Sequence, residues 1–142
     1  MNASSNLELV RSIFRAWERG DFSSVSWAHP ELEWVTVDGP APGRWTGVAG
    51  MAEASRDWIN TWEHYHVKAR EYRELDAERV LVLFNYGGRG KGSGIEVGAL
   101  GANGAGVFHV RDGKVTRLVA WWDQERAFAD LGLEPNIGAG GS

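Results

Sequence analysis

Residues 106–122 read GVFHVRDGKVTRLVAWW, two apolar runs that flank Asp112-Gly113. This dipeptide favours a two-residue turn, because both central residues of such a turn adopt positive φ. The segment therefore predicts a β-hairpin in which His109 faces Thr116, and opposed residues share a face. One face would carry Val107, His109, Thr116, Leu118, Ala120 and Trp122, and the other would carry Phe108, Val110, Arg117, Val119 and Trp121.

Both faces of this hairpin carry many apolar side chains, so the sheet has to be covered on both sides. We expect the chain's own helices to cover one side and a second copy of the chain to cover the other. The sequence therefore predicts a homodimer that forms through the outer face of the sheet, with Trp121, Val119 and Phe108 as contact residues.

Two helices are predicted before the sheet. Ser5 and Glu8 form a capping box ahead of apolar residues at helical spacing, and Gly20 can end this first helix. Apolar residues recur at helical spacing between Gly50 and Trp62, which predicts a second helix with an aromatic face. The alternating segment from Leu32 to Val37 predicts a strand between the two helices.

From Tyr65 onwards the apolar period is two, which predicts a meander of strands. The predicted strands are Tyr65–Glu74, Arg79–Tyr86, Ile95–Ala102, Gly106–Arg111 and Lys114–Trp122, and residues 39–47 are predicted to be a loop. Asp123 can cap a short final helix that Gly132 ends. The sequence thus predicts one α+β domain over residues 1–135 and a flexible tail over residues 136–142.

The composition bounds the partners that the chain can have. A chain of 142 residues with 43% hydrophobic content can bury one core. Its formal net charge of -4 argues against nucleic acid as a partner, and no cysteine is available for a disulfide or a thiolate zinc site. No apolar run approaches the ~20 residues of a membrane span, and the polar residues from Met1 to Leu7 lack a secretory signal. We therefore expect no membrane insertion and a cytoplasmic location.

Six features follow one another along the chain in a recognisable order. They are an opening amphipathic helix that ends in Gly20-Asp21, His29-Pro30 before the first strand, Gly47 before the second helix, Gly90-Lys91-Gly92-Ser93-Gly94 in mid-sheet, Arg111-Asp112-Gly113-Lys114, and Asp123 with Leu131-Gly132-Leu133 at the end. Together they resemble the SnoaL-like branch of the nuclear-transport-factor-2-like superfamily. The resemblance implies a cone-shaped, strongly curved and mostly antiparallel sheet wrapped around N-terminal helices, a cystatin-like α+β barrel. It also implies a pocket that relatives use as polyketide cyclases, epoxide hydrolases, ketosteroid isomerases or dehydratases, or as non-catalytic binders.

The sequence departs from the catalytic relatives at two places. Many of them carry a carboxylate in the middle of the last strand, where this chain has Ala120. The epoxide-hydrolase relatives carry an arginine and a carboxylate two residues apart on an earlier strand, where this chain has Phe84 and Tyr86. The implied pocket is therefore apolar, with a few neutral polar groups such as Thr36. The predicted substrate-binding residues are Trp34, Trp58, Trp62, Phe84, Asn103 and Trp122, six aromatic or amide side chains of a chain with eight tryptophans.

Two residues are candidates for acid–base catalysis. His109 could exchange protons near neutral pH, and its other interpretation is a core histidine bonded to Thr116. Tyr86 could donate a hydrogen bond to a ligand carbonyl, and its other interpretation is a packing aromatic with a solvated hydroxyl. His64 and His66 share a strand face, but no third ligand is fixed by the sequence, so exposed histidines are expected there and no metal site or cofactor is predicted.

The sequence therefore predicts a pocket that binds a hydrophobic, cyclic small molecule, with cyclisation, isomerisation or dehydration through His109 and Tyr86. A non-catalytic domain that binds a ligand or dimerises is the alternative, and Ala120 is the feature that favours it. Epoxide hydrolysis is a weaker alternative. Asp123 could act as an acid at the mouth of the pocket, but its place before the final helix makes an N-cap the simpler interpretation.

Overall fold

The computed structural model of the chain describes residues 3–21, 25–38, 43–60, 62–90, 96–97 and 103–133. Their elements, in chain order, are α1 (Ala3–Glu18), β1 (Ala28–Thr36), β2 (Gly43–Thr46), α2 (Gly47–Asn60), β3 (Trp62–Glu74), β4 (Arg79–Gly90), β5 (Glu96–Val97), β6 (Asn103–Arg111), β7 (Lys114–Trp121) and α3 (Gln124–Leu131). The predicted tail over residues 136–142 lies outside the described residues. Within the described ranges, every helix is too short or too polar to cross a membrane.

The strands form one curved sheet. Six of them follow the order β2-β1-β7-β6-β4-β3, and β5 pairs with β4 outside this path. Every pair is antiparallel except β1 with β7, which is parallel. The predicted α+β class with a mostly antiparallel curved sheet is therefore confirmed. The parallel pair places the N-terminal strand directly beside the hairpin of β6 and β7.

Both faces of the sheet are buried, each under different helices. On the inner face, the ring of Phe14 from α1 lies 5.6 Å from that of Phe84 and 6.0 Å from that of Phe108. On the outer face, α3 packs Ala127 and Phe128 against the strands. The strand residues of the inner core are Ala28, Leu32, Val67, Val80, Val82, Phe84, Phe108, Val110, Val115 and Leu118, and those of the outer core are Leu81, Leu83, Ala105, Val107, Val119 and Trp121.

The hairpin turn forms at Asp112-Gly113, where φ is 52° and 76°. The pair next to the turn, Arg111 with Lys114, forms as a two-residue turn requires. A β-bulge then adds Thr116 to β7, so that His109 faces Arg117 and not Thr116. The Thr116 hydroxyl instead donates to the backbone carbonyl of His109 at 3.3 Å. The extra residue increases the local twist and displaces the register of everything beyond it.

Because of the bulge, the predicted faces of the hairpin were wrong for β6. Phe108 and Val110 lie on the inner face with Leu118, and Val107 and His109 lie on the outer face. A shift of one residue moves every side chain of a strand to the other face. The apolar pattern could not reveal the shift, since both faces of this hairpin are buried.

The three residues predicted as dimer contacts do not all lie on the same face of the sheet. Phe108 is 0% exposed and belongs to the inner core, so its prediction as an outer-face contact was wrong. Trp121 and Val119 do lie on the outer face, but they are only 4% and 9% exposed. The Trp121 indole Nε1 donates to Asp130 of α3 at 2.9 Å. The chain's own final helix thus provides part of the cover that was expected from a second copy, and the homodimer stays a prediction.

Several element boundaries differ from the predictions. Residues 39–47 were predicted to be a loop, but Gly43–Thr46 form β2, which pairs with β1. Trp62 begins β3 and does not continue the second helix. Of the predicted strand Ile95–Ala102, the described residues Glu96–Val97 form β5, and the remainder lies outside the described residues. Short edge strands such as β2 carry too few residues for a clear alternating pattern.

We predict that two glycines of β6 respond very differently to a methyl group. A Cβ on Gly104 would lie 2.7 Å from the Phe84 ring and 2.8 Å from the Trp121 carbonyl oxygen. Gly104→Ala should therefore lower the free energy of unfolding by about 1–3 kcal/mol. A Cβ on Gly106 would meet no atom closer than 3.7 Å, so Gly106→Ala should change stability by less than about 1 kcal/mol.

Urea unfolding of both variants, followed by tryptophan fluorescence, measures this difference. The two glycines lie two residues apart on one strand face, so Gly106→Ala controls for the general effect of replacing glycine in β6. Equal losses in the two variants would show that the contact with Phe84 is not the cause.

Candidate functional site

An aromatic cluster lies at one end of the inner face. Phe84 and Tyr86 are two residues apart on β4, so both side chains point to the inner face, and Trp122 follows β7. The ring centroids are 4.9 Å apart for Tyr86 and Trp122, 6.0 Å apart for Phe84 and Trp122, and 6.1 Å apart for Phe84 and Tyr86. The structure thus brings together three of the residues that the sequence assigned to the pocket.

Beside this cluster the sheet carries small side chains. Ala120 on β7 pairs with Thr36 on β1 and with Gly106 on β6, so the three residues form one row across the sheet. We call this row the floor of the site. Along the strands, the floor lies between Trp34 on one side and Trp122 on the other. A row of small residues between aromatic side chains is a type of surface that is common in ligand pockets.

Two tryptophans border the floor on the β1 side. The Trp34 indole Nε1 donates to the hydroxyl of Thr36 at 3.1 Å. Trp45 on β2 pairs directly with Trp34 and therefore shares its face of the sheet. The sequence analysis missed Trp45 because residues 39–47 were predicted to be a loop. Its sequence signal, one aromatic residue in a segment with several glycines and prolines, is weak without the pairing.

The end of the floor where Tyr86, Trp122 and Asp38 lie is called the rim of the site. It carries a phenol. The Tyr86 hydroxyl donates to the backbone carbonyl of Trp122 at 3.0 Å. Burial raises the pKa of Tyr86 above its usual value, and the negative charges of Asp38 and then Asp123 raise this pKa further. The hydroxyl is therefore protonated at neutral pH and acts as a hydrogen-bond donor.

The rim also carries a carboxylate that the sequence analysis missed. Asp38 follows β1, and its two carboxylate oxygens accept hydrogen bonds from the backbone nitrogens of Trp122 at 2.6 Å and Asp123 at 3.2 Å. These bonds fix the carboxylate beside the aromatic cluster. The sequence signal was an acidic residue directly after a strand, but only the parallel pairing of β1 with β7 shows what lies next to it.

Two residues that the sequence assigned to the site lie elsewhere. His109 is on the outer face, where it pairs with Arg79 on β4 and Arg117 on β7. Asn103 is also on the outer face, and it accepts a hydrogen bond from the side-chain amide of Asn85. The sheet therefore separates both residues from Phe84, Tyr86 and Trp122. The bulge explains the error for His109, because its face was assigned by counting through the turn. Asn103 was assigned from the implied pocket, and it begins β6 ahead of the predicted strand.

Of the remaining candidates, one caps a helix, and the side chains of three lie outside the described residues. Asp123 is the N-cap of α3, and its side chain accepts from the backbone nitrogen of Glu125 at 3.0 Å, as its simpler interpretation predicted. The side chains of Trp58, Trp62 and His64 lie outside the described residues. Across the part of the chain that the structure describes, no three histidine or acidic side chains are close enough together to hold a metal ion.

Comparison with known proteins gives a family and a set of similar structures. The sequence profile of the SnoaL-like domain family matches residues 10–118. TerC, which was crystallised with polyporic acid, is 24% identical, with a TM-score of 0.71 over 89% of this chain and 97% of TerC. No curated protein sequence matches the chain significantly.

Two bacterial structures are similar over almost their full lengths. A protein from Jannaschia sp. CCS1, provisionally described as a SnoaL-like polyketide cyclase, has a TM-score of 0.72 at 14% identity, over 93% of this chain and 94% of its own. An NTF2-like protein from Burkholderia thailandensis E264 has a TM-score of 0.74 at 18% identity, over 95% and 99%. At these identities the similarity establishes a shared fold and no shared activity.

We predict that Tyr86 ionises above the usual tyrosine value of about pH 10. Ultraviolet difference titration of the wild type against Tyr86→Phe isolates this residue from the other tyrosines. Asp38→Asn removes a negative charge near the phenol and should lower the pKa of Tyr86. An unchanged pKa in Asp38→Asn would show that the carboxylate does not act on the phenol.

A second prediction concerns His109 and the pH dependence of stability. Burial lowers the pKa of His109 below its usual value, and the positive charges of Arg117 and then Arg79 lower it further, against smaller opposite effects of Asp76 and Glu78. Below about pH 6.5 the unfolded chain then binds this proton more readily than the folded chain. The free energy of unfolding should therefore fall as the pH drops from 7 towards 5.

The variant His109→Gln removes this proton uptake. Its free energy of unfolding, measured with urea between pH 5 and pH 7, should fall less than that of the wild type. If the two proteins lose stability equally over this range, the environment of His109 does not disfavour its charged form.

Proposed function

This chain belongs to the SnoaL-like domain family, and from that premise we propose that it binds a hydrophobic, cyclic small molecule on the inner face of its sheet and catalyses acid–base chemistry on it. The proposed reaction is a cyclisation, an isomerisation or a dehydration. All three can proceed through the same step, the removal of a proton from a carbon next to a carbonyl group. The proposal therefore needs a site that holds a ring, a base and a donor for the carbonyl oxygen.

One observation carries the proposal, namely that a neutral phenol and a fixed carboxylate stand together at the rim of an apolar floor. Tyr86 supplies the donor, and its raised pKa keeps the proton on the hydroxyl. Asp38 supplies the carboxylate, which two backbone nitrogens hold in place. Trp34 and Trp122 border the floor on which the ring of the ligand would lie. Fixed polar groups next to an apolar surface are typical of catalytic sites.

In the proposed reaction, the carboxylate of Asp38 takes a proton from the carbon beside the ligand carbonyl. The electron pair of the broken C–H bond forms a C=C bond, and the π pair of the carbonyl moves onto its oxygen, where the Tyr86 hydroxyl stabilises the developing negative charge. Return of the proton at another carbon gives an isomer. For this step the Tyr86 hydroxyl exchanges the carbonyl of Trp122 for the ligand oxygen. His109 takes no part, because it lies on the outer face.

The similar structures support a small-molecule ligand. TerC was crystallised with polyporic acid, so a chain of this fold is compatible with a small organic ligand. The Jannaschia protein is described as a polyketide cyclase, which agrees with a cyclic, oxygenated substrate. These relatives support the class of ligand, and the residues at the rim support the chemistry.

A non-catalytic binding domain is the second candidate, and a specific contact favours it. The Tyr86 hydroxyl already donates to the Trp122 carbonyl, which fixes the indole as a wall of the site. In this case Tyr86 and Asp38 position Trp122 and transfer no proton. Ala120, near the end of β7, stands where many catalytic relatives carry a carboxylate, which agrees with a site that binds without reaction.

The test is to incubate the purified protein with polyketide-like ketones, unsaturated steroid ketones and epoxides, and to detect products by mass spectrometry. We expect product from a ketone, and we expect Tyr86→Phe and Asp38→Asn to lower turnover by about 100-fold or more each. Trp122→Ala should weaken ligand binding about tenfold in calorimetric titration, because it removes a large apolar contact.

His109→Gln is the matched control, since the variant changes a half-buried titratable residue of the same sheet on its outer face. Its turnover should stay within about twofold of the wild type. Turnover that persists in both Tyr86→Phe and Asp38→Asn would contradict the proposed chemistry. Ligand binding without product from any compound would favour the binding domain.

A further inference from the structure

Thr36 is a buried polar residue at the floor of the site. It lies on β1 between the parallel strand β7 and the edge strand β2, and it is only 8% exposed. Its side chain shares the inner face with Leu32 and Trp34, because these residues alternate along β1. Its neighbour on β7 is Ala120, a small residue.

The hydroxyl of Thr36 has one partner among the described residues. The Trp34 indole Nε1 donates to Thr36 Oγ1 at 3.1 Å, and an indole N–H can only donate. A hydroxyl can accept two hydrogen bonds and donate one. Trp34 therefore uses an acceptor position of Thr36, and in the described part of the chain no acceptor receives the hydroxyl proton.

A buried hydroxyl proton without an acceptor is unfavourable, and among the described residues Thr36 has none, so this proton is available to an oxygen or nitrogen atom of a ligand. The same contact with Trp34 restricts the direction of that proton, since the lone pair facing the indole is occupied. The proton then has to point away from Trp34. Across the sheet from Thr36, the floor continues through the small residues Ala120 and Gly106.

We propose that Thr36 is the specificity-determining residue of this site, and that its hydroxyl donates a hydrogen bond to a carbonyl or other uncharged acceptor on an otherwise apolar ring. The proposal rests on the proposed function, because it assigns the substrate class of the same floor. Thr36 stands on β1, and Tyr86 stands on β4, across β7 and β6. A ligand that reaches both would carry two acceptors on opposite sides of its ring system. Neutral, oxygenated polycyclic ketones have this pattern.

Calorimetric titration with α-tetralone and with tetralin tests the assignment. The two probes share a bicyclic frame and differ in one carbonyl group. In Thr36→Val, α-tetralone should bind about five- to tenfold more weakly than to the wild type, because its carbonyl loses a donor. Tetralin should bind within about twofold of the wild type. Thr36→Ser keeps the hydroxyl and should retain the wild-type affinity for α-tetralone.

Thr46→Val is the matched control, because Thr46 is an exposed threonine on the outer face of β2. It should leave both affinities unchanged. If α-tetralone binds equally to the wild type and to Thr36→Val, the role of Thr36 is refuted, while tetralin binding still supports the apolar floor. If neither probe binds the wild type, the proposed site fails together with this inference. A weaker affinity of Thr36→Ser, equal to that of Thr36→Val, would also refute the hydrogen bond.

Discussion

The parallel pairing of β1 with β7 is the contact on which the rest of the structure depends. It joins the first strand of the chain to the last, from the bond of Val115 nitrogen to the Trp27 carbonyl at 2.8 Å to the bond of Val37 nitrogen to the Ala120 carbonyl at 2.9 Å. Without it, β1 and β2 would form a separate hairpin with no core of their own. The same pairing places Thr36 beside Ala120 and brings Asp38 to the end of β7, so it builds both the floor and the rim of the site.

Local patterns predicted most of the elements, and the reason is that each depends on neighbours in sequence. The turn at Asp112-Gly113 and the N-cap at Asp123 are both satisfied within a few residues of themselves. The predicted capping box does not start the first helix, because Ser5 lies inside α1, which spans Ala3–Glu18. The bulge at Thr116 is different. It inserts an extra residue into β7 and interrupts the regular pairing, and the apolar pattern of the sequence gives no sign of it. Parallel pairing is also invisible locally, since it joins residues far apart in sequence.

The candidate site was predicted where alternation on one strand was enough. Phe84 and Tyr86 are two residues apart on β4, and no error in pairing could separate them. His109 was assigned to the same face through the turn, so the bulge moved it to the other side of the sheet. Asp38 could not be found at all, because its importance depends on accepting from the backbone of Trp122, a residue that only the fold brings near.

The distribution of charge over the two faces agrees with the proposed reaction at the rim. On the outer face, Glu33, Arg117, His109 and Arg79 form a row across four adjacent strands. Arg117 Nε lies 2.9 Å from a carboxylate oxygen of Glu33, and Arg44 Nε lies 3.1 Å from the other. The inner-face strand residues of the site are neutral, so a charged group lying on them would lose its hydration without compensation. In the proposed reaction a neutral ring lies on this floor, and the Tyr86 hydroxyl at the rim stabilises the negative charge that develops on the carbonyl oxygen.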